Sequence, residues 1–366
     1  MGLEIGNLSS KRYCLQKSLT NKEEKLKKIT RLLIVLLIFP FIVSCKSQDE
    51  NPTEPIQEAQ TVVELFGQLQ VNGKNIVDKN GNIVALRGMS LFWSQWGSNY
   101  YNKETIKWLR DDWKCTVIRA AMGVENGGYL DNPEAEYQKV KTAIDACIEL
   151  GIYVIVDWHD HHAEDHLQEA KTFFNRVSSE YGNYPNIIYE IYNEPLNESW
   201  NDVLKPYSQE VINAIRINDP DNIIVAGTRN WSQDVQDVIG NEIEGNNIAY
   251  SLHFYSSTHK HELRNKAILA INAGIPLFVT EWGMSEANGS GIIDNVSLNE
   301  WADFMEVNNL SWCNWSIVNK DETSAALLPT TTKISGWSVS ELSQSGKIIR
   351  DYLIQMNSPI FEELDK

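Results

Sequence analysis

The chain alternates between short β-prone runs and longer helix-prone runs, and this alternation limits its possible folds more than any other feature. Eight apolar segments of about four to six residues are separated by segments with helical periodicity over about 270 residues. The predicted strands are 83–88, 116–119, 153–157, 187–192, 223–226, 248–253, 277–280 and 311–315. The predicted helices are 103–113, 133–150, 165–181, 201–218, 260–273, 297–307 and 343–355.

Strands that alternate with helices form parallel sheets, and eight such units predict an α/β protein with a (β/α)8 TIM barrel. Asn72-Gly73 indicates a small N-terminal β-hairpin that would close the bottom of the barrel. We expect one barrel domain over 67–356 and a C-terminal tail over 357–366. A doubly wound open sheet is the alternative, but no GxGxxG motif follows the first strand.

The N-terminal segment has the pattern of an export signal. Basic residues from Lys25 to Arg31 precede the apolar run 32–43, which is too short to span a bilayer comfortably. The run ends in Ile42-Val43-Ser44-Cys45, which resembles a bacterial lipobox. We therefore expect a lipoprotein signal peptide over 1–45, a lipidated Cys45 and a polar tether over 46–66. An uncleaved membrane anchor is the alternative.

These features predict a bacterial cell-envelope lipoprotein, periplasmic or on the outer-membrane surface, that contacts the membrane only through its lipid. The formal net charge of −17 makes nucleic acid an improbable partner. Cys115, Cys147 and Cys313 lie in apolar runs without disulfide or metal spacing, so we expect buried free thiols. We also expect a monomer.

Most predicted strands end in side chains suited to a binding site. Because the carboxyl ends of parallel barrel strands meet at one face, these side chains should gather there. They are Arg119, Asp157-Trp158-His159, Asn193-Glu194, His253-Phe254-Tyr255, Glu281-Trp282 and Trp315.

Two glutamates stand out among these strand ends. Glu194 follows Ile191-Tyr192-Asn193, and Glu281 follows Val279-Thr280. Two carboxyl groups held across a bond are what glycoside hydrolysis needs, since one protonates the leaving oxygen while the other attacks or activates water. The two segments therefore predict a glycosidase site.

Seven segments together resemble glycoside hydrolase family 5, in its bacterial endoglucanase branch. They are Arg87-Gly88-Met89-Ser90, Val117-Ile118-Arg119-Ala120-Ala121-Met122, Val156-Asp157-Trp158-His159, Ile191-Tyr192-Asn193-Glu194-Pro195, His253-Phe254-Tyr255, Val279-Thr280-Glu281-Trp282-Gly283 and Trp312-Cys313-Asn314-Trp315-Ser316. The resemblance covers about 67–354. It implies a (β/α)8 fold, a β-glucan substrate, no cofactor and retaining hydrolysis of internal β-1,4-glucosidic bonds.

By this resemblance Glu194 is the general acid/base and Glu281 is the nucleophile. The acid must be protonated near the working pH, so its pKa has to be raised, whereas the nucleophile must stay ionised. We expect Arg119 and Tyr255 to donate hydrogen bonds to Glu281. Asn193 should bind the 2-hydroxyl of the scissile glucose. His159 and His253 should bind sugar hydroxyls and the surrounding network.

The resemblance also implies platforms for the outer sugars. Trp315 matches the stacking residue before the cleavage point, with Trp96 further out. Trp231 matches the aromatic residue on the leaving-group side. Lys320 and Glu322 match positions that bind hydroxyls at the outer subsites.

The chain departs from the family pattern at two places. Leu91-Phe92-Trp93 stands where many relatives have a histidine, and Gly123 stands where relatives often have tyrosine. Both positions lie near the expected glucose-binding floor. A mannanase, a xyloglucanase or a mixed-linkage glucanase on the same barrel therefore stays open, as does a surface glycan-binding lipoprotein without activity.

The histidine-rich segment after the third strand resembles a metal site at first sight. It contains His159, His161, His162 and His166 together with Asp157, Asp160 and Asp165. The spacing does not match the metallo-hydrolase motif His-x-His-x-Asp-His, because Ala163 and Glu164 occupy ligand positions. We therefore interpret this segment as a solvated loop, with an incidental structural cation as the alternative, and predict no catalytic metal.

Overall fold

A computed structural model describes residues 60–365, and the folded part of the chain begins with a short helix. This helix, α1, is Val62–Phe66, and Thr61 caps it by accepting a hydrogen bond from the Glu64 backbone N–H. Val62 and Val63 are buried in the main core. The fold therefore includes residues that we assigned to the tether 46–66. The signal 1–45, Cys45 and most of the tether lie outside the described residues.

The central feature is a closed barrel of eight parallel strands that follow one another in chain order, with the last strand pairing with the first. The barrel strands are β3 Arg87–Leu91, β4 Val117–Gly123, β5 Tyr153–His159, β6 Ile187–Glu190, β7 Ile223–Ala226, β8 Ile248–Tyr255, β9 Leu277–Gly283 and β10 Ser311–Ile317. The helices are α2 Lys103–Asp111, α3 Pro133–Leu150, α4 Leu167–Tyr181, α5 Lys205–Arg216, α6 His261–Asn272, α7 Asn295–Val307 and α8 Gln344–Leu364. The (β/α)8 prediction is confirmed.

Strands β4, β5, β9 and β10 are buried at every position, which explains their near-continuous apolar sequences. Several strands extend two to four residues beyond their predicted ends. The predicted first barrel strand, 83–88, starts too early in the sequence. Ile83 instead pairs with Val77 in an isolated antiparallel bridge and is 52% exposed. The strand proper starts at Arg87, which lies opposite Trp312 of β10.

The predicted hairpin is present as β1 Gln70–Asn72 and β2 Asn75–Val77. It lies at the amino-terminal end of the barrel strands. The Val71 N–H donates to Asn247 Oδ1, just before β8, and the Tyr153 hydroxyl donates to the Gly67 carbonyl. These contacts leave the opposite end of the barrel open for a site.

The C-terminal segment is helical where the sequence suggested a tail over 357–366. Helix α8 continues to Leu364, because Ile360, Phe361 and Leu364 pack against the main core. Asn357 is fully buried and its side-chain amide donates to the carbonyls of Arg87 and Lys114. The last helix therefore closes the bottom of the barrel beside β3.

Cys115, Cys147 and Cys313 are buried free thiols, as predicted. Within residues 60–365, none of the helices combines the length and the apolar character needed to cross a membrane.

Candidate active site

A pocket of about 520 Å³ opens at the carboxyl ends of the strands. Glu281 reaches it from β9, and Glu194 reaches it from the segment that follows β6. The other lining residues are Asn230, Trp231, Gln233, His253, Phe254, Tyr255, His259, Ala287 and Asn288. The two glutamates singled out in the sequence therefore share one pocket.

Glu281 is held by two donors, one on each carboxylate oxygen. Arg119 Nη1 donates to Oε2 at 2.8 Å, and the Tyr255 hydroxyl donates to Oε1 at 2.7 Å. Burial raises the pKa of Glu281, and the charge of Glu194 acts in the same direction, whereas Arg119, His253 and Tyr255 oppose the rise. The role of nucleophile predicted from the sequence requires an ionised Glu281. The structure adds that burial disfavours this ionised form.

Glu194 lies at the open side of the pocket, with 14% of its side chain exposed. His253 Nδ1 is 3.1 Å from Glu194 Oε1. One carboxylate oxygen of Glu194 and one of Glu281 lie within 4.8 Å of each other. Retaining glycosidases hold their carboxyl groups about 5–5.5 Å apart, whereas inverting enzymes need about 6.5–9.5 Å to admit a water molecule.

His253 connects Glu194 to a buried network beneath the pocket. Its Nε2 lies 2.8 Å from Thr280 Oγ1, which donates to Glu190 Oε1 at 2.6 Å. Burial alone would lower the pKa of His253, but hydrogen bonds to Glu190 and Glu194 outweigh it and raise the pKa to about 9. His253 is therefore an imidazolium at neutral pH, and it donates to Glu194.

Arg119 lies beneath the pocket and is fully buried. Its guanidinium contacts Glu190 at 2.7 Å, Asp157 at 2.9 Å and Asn193 Oδ1 at 2.7 Å, in addition to Glu281. Glu190 was not predicted as a site residue, and Asp157 was predicted only as one of the strand-end residues, without a role. A charged Glu190 inside the apolar run 187–192 was the signal that could have revealed it.

Asn193 is fixed through its oxygen, which accepts from Arg119, while its Nδ2 is buried without a hydrogen-bond partner among the described residues. A buried amide donor without a partner is costly unless a ligand supplies the acceptor. Its location beside Glu194 fits the predicted contact with a sugar hydroxyl.

His159 lies deeper than a solvated loop residue would. It is 2% exposed, packs edge-on to Trp93 at 4.0 Å and stacks parallel to Trp315 at 5.2 Å. Burial and the nearby charge of Arg119 lower its pKa well below the usual value, so its neutral ring donates from Nδ1 to Asp157 Oδ2 at 2.6 Å. The interpretation of this whole segment as solvated is therefore wrong.

The predicted aromatic platforms differ in exposure. Trp315 is 5% exposed and lies within the site, whereas Trp231 and Trp96 are 43% and 58% exposed. Trp96 packs on Trp93 at 5.2 Å. Lys320 and Glu322 do not line the pocket of the two glutamates; they form an ion pair at 2.7 Å that lines a second pocket of about 370 Å³.

The two departures from the family pattern have structural explanations. A Cβ on Gly123 would lie 1.9 Å from Gln95 Oε1, so the Gln95 side chain fills the space where a larger residue would be. Phe92 packs on Trp315 at 5.3 Å, and Trp93 covers His159. Aromatic rings and an amide thus form this part of the floor.

Two groups of described His, Asp and Glu residues bring their ligand atoms within 4.8 Å: Glu194, His253 and Glu281 in the pocket, and Glu125, Asp160 and His166 outside it. In the first group the cationic His253 already pairs with Glu194.

Comparison with known proteins gives a consistent assignment. Residues 77–321 match the sequence model of cellulase, glycosyl hydrolase family 5. Endoglucanase A of Evansella cellulosilytica is 44% identical over 331 residues, which is 89% of this chain. The chain spans 66% of the length of that relative.

Solved structures give the same result. A protein from Cytophaga hutchinsonii is 51% identical with a TM-score of 0.82, and the match covers 83% of this chain and 100% of that one. The catalytic domain of Thermobifida fusca endoglucanase Cel5A is 34% identical with a TM-score of 0.78, covering 80% and 99% of the two chains. A variant of that domain was solved in complex with cellotetraose.

Proposed function

The chain belongs to glycosyl hydrolase family 5, and from that premise we propose that it is a retaining endo-β-1,4-glucanase acting on cellulose and related β-glucans. The observation that carries the proposal is the approach of Glu194 and Glu281 to within 4.8 Å. An oxygen–oxygen approach of this size is compatible with the carboxyl spacing of about 5–5.5 Å that a double displacement needs. The relatives named as endoglucanases support the choice of substrate.

In the first half-reaction Glu281 attacks the anomeric carbon while Glu194 gives its proton to the leaving oxygen. Arg119 and Tyr255 hold the two oxygens of Glu281, so the carboxylate is oriented before substrate binds. In the second half-reaction Glu194 takes a proton from water, which attacks the glycosyl-enzyme. Its partial exposure allows water to reach it.

The environment of Glu194 suits a group that changes charge twice in each cycle. When Glu194 is ionised, the imidazolium of His253 stabilises it through a charge-assisted hydrogen bond at 3.1 Å. A neutral Glu194 can donate its proton to the leaving oxygen in the first step, and the carboxylate that results can accept a proton from water in the second.

Two variants test this proposal. Glu281→Gln removes the nucleophile, so hydrolysis of polymer and of activated aryl cellobiosides should both fall by several orders of magnitude. Glu194→Gln removes the acid, so an aryl cellobioside with a good leaving group should still react and give a burst or a trapped intermediate. Wild-type turnover by the Glu281→Gln variant would refute the assignment.

Substrate class is tested by the release of reducing ends from carboxymethylcellulose, glucomannan, xyloglucan and barley glucan. We expect carboxymethylcellulose and barley glucan to be cleaved fastest. Preferred cleavage of glucomannan or xyloglucan would replace the glucanase proposal with a mannanase or xyloglucanase. Binding without new reducing ends would indicate a non-catalytic glycan-binding protein.

A further inference from the structure

A second cluster of polar side chains lies outside the pocket of the two glutamates. Glu125 follows β4, whereas Asp160 and His166 belong to the segment between β5 and α4. One ligand atom from each of these residues lies within 4.8 Å of those from the other two. None of the three lines the catalytic pocket.

Asp160 is the fixed member of this cluster, because its side chain is fully buried. The His162 backbone N–H donates to Oδ1 at 3.0 Å, and Trp158 Nε1 donates to Oδ2 at 3.2 Å. The same Oδ2 lies 2.8 Å from His166 Nδ1. Two ligands of a tetrahedral zinc ion are about 3.3 Å apart, given bonds of about 2.0–2.1 Å, so this pair needs to open by only a few tenths of an ångström.

Glu125 and His162 are the adjustable members. His162 Nδ1 lies 3.7 Å from Glu125 Oε2, and the two side chains are 44% and 37% exposed, respectively. The Glu125 carbonyl accepts a hydrogen bond from Gln95 Nε2, which anchors the backbone of this loop. Because both side chains are partly exposed, each can change rotamer when a cation binds.

The charge of the cluster favours a cation. Among the residues that the structure describes, neither Asp160 nor Glu125 has a Lys or Arg within 4.0 Å, and their only ion-pair partners are His166 and His162. Mixed imidazole and carboxylate donors suit zinc and similar transition metals, whereas calcium and magnesium prefer oxygen ligands.

We propose that Glu125, Asp160 and His166, assisted by His162, form a binding site for a divalent transition-metal cation, with Zn²⁺ as the best fit. The site is structural and stands apart from the proposed hydrolysis. It would link the loops after β4 and β5 beside the acid/base, because the Glu194 backbone N–H donates to the Asp160 carbonyl at 3.2 Å. A bound cation should therefore stabilise the loop that supports Glu194.

The test is titration of the full chain with ZnCl₂ by isothermal calorimetry at pH 7.5, after EDTA treatment and dialysis. We expect one saturable site per chain and a rise in melting temperature with zinc. Calcium chloride should give neither result. His166→Gln keeps an amide that can donate to Asp160 but loses the imidazole ligand, and Glu125→Gln changes an exposed carboxylate.

Each of these two variants should weaken zinc binding by at least about tenfold. Removal of a residue that only hydrogen-bonds to a metal ligand costs about 10–100-fold in metal affinity, so loss of a ligand itself should cost no less. His261→Gln is the matched control, since His261 forms an exposed pair with Glu262 at 3.2 Å on α6. It should bind zinc as the wild type does. Glu194→Gln should also bind normally, which separates this site from the catalytic pocket.

Three outcomes would overturn the proposal. The first is the absence of saturable zinc binding, which would mean that His166 and Asp160 form only an ion pair. The second is equal affinity in the wild type, His166→Gln and Glu125→Gln. The third is loss of binding in Glu194→Gln alone, which would place the cation in the catalytic pocket. None of these outcomes depends on whether the chain hydrolyses glucan.

Discussion

At the scale of single residues, the central feature is that Glu281 must ionise while it is buried. Burial and Glu194 raise its pKa, and the hydrogen bonds from Arg119 and Tyr255 oppose that rise. Burial also raises the pKa of Tyr255 well above its usual value, so the phenol stays a donor. The acid side of the pH profile should therefore follow the ionisation of Glu281.

Tyr255→Phe should move this acid limb to higher pH. The phenol stabilises the charged carboxylate, so its loss raises the pKa of Glu281 further. A hydrogen bond to a charged group is worth about 1.5–3 kcal/mol, or about one to two pH units. The measurement is kcat/KM against pH on an aryl cellobioside. An unchanged acid limb would mean that another group controls it.

His253 makes the stability of the folded protein depend on pH. Its pKa is raised from the ordinary value of 6.5 to about 9, so the stabilisation is complete below pH 6.5 and is lost as pH rises through about 9. The shift corresponds to a free energy on the order of 3 kcal/mol. Comparison of wild type and His253→Asn should show the difference in unfolding free energy shrinking over this window.

The control for that comparison is His261→Asn, because His261 is exposed on α6. Its effect on unfolding should be small and nearly constant from pH 6.5 to 9. Chemical denaturation at several pH values measures both differences. If the His253→Asn difference did not change across the window, the imidazolium assignment would be incorrect.

The sequence indicated the residues at strand ends better than those beneath them. Glu194, Glu281 and Tyr255 follow apolar runs, and the structure brings them into one pocket. Glu190 was missed and Asp157 was given no role, because the roles of both depend on Arg119, which comes from another strand. Contacts between strands are set by the closed barrel, and the local sequence marks Glu190 only as an unexpected charge in an apolar run.

At the scale of elements, the turn after β7 is unusual. Asn230, Trp231 and Ser232 have consecutive positive φ values of 59°, 56° and 55°. Such conformations are costly for residues other than glycine and persist when neighbouring contacts enforce them. Here the Trp231 N–H donates to the Pro195 carbonyl, and Ser232 Oγ donates to the Asn193 carbonyl. The turn therefore holds Trp231 against the segment that carries Glu194.

Trp231→Ala should reduce kcat/KM on cello-oligosaccharides that extend past the leaving-group side. We expect a loss of about two- to tenfold, because an aromatic contact contributes about 0.5–1.5 kcal/mol beyond area burial. Aryl cellobiosides, which place no sugar there, should be hydrolysed at nearly the wild-type rate. An equal loss on both substrates would show that Trp231 acts on the catalytic pair instead of on a distant sugar.

The end of α8 shows why element boundaries were less predictable. We assigned 357–366 to a tail, but packing of the partly buried Ile360, Phe361 and Leu364 against the core keeps this segment helical. In the same way, α7 begins at Asn295, two residues earlier than predicted, because Asp294 accepts hydrogen bonds from the N–H groups of Val296 and Ser297. Tertiary packing therefore sets the end of α8, and N-terminal capping sets the start of α7.

Asn357→Ala tests the role of this last helix. The substitution removes the amide donor of the Lys114 carbonyl, whereas the Arg87 carbonyl still accepts from the Thr116 backbone N–H at 3.0 Å. One unsatisfied group costs about 1–3 kcal/mol, so we expect the free energy of unfolding to fall by at least about 1 kcal/mol. Urea denaturation measures it. A change below about 0.5 kcal/mol would indicate that α8 contributes little to closing the barrel.

At the scale of the whole molecule, the alternation of strands and helices was sufficient to predict the barrel, and the Asn72-Gly73 turn predicted its hairpin. Because the eight strands of the closed barrel are parallel, their carboxyl ends all lie at one face. That geometry turns two glutamates far apart in sequence into neighbours. The export signal, the tether and the monomeric state stay predictions.

Cys45→Ser tests the proposed lipid anchor. If Cys45 is the lipidated first residue of the mature chain, the wild type expressed in a bacterium should partition into detergent and fractionate with membranes. The variant should lose the lipid and its detergent partitioning. Intact-mass analysis of the mature N-terminus distinguishes lipidation from an uncleaved apolar anchor. Detergent partitioning that is the same in both proteins would contradict the lipobox interpretation.

The double-displacement account is tested most directly by trapping the glycosyl-enzyme. A 2-deoxy-2-fluoro-cellobioside with a good leaving group should react once, and mass spectrometry of the digested protein should place the label on Glu281. Glu281→Gln should remain unlabelled. A label on Glu194, or first-formed products of inverted anomeric configuration without any covalent adduct, would contradict the account.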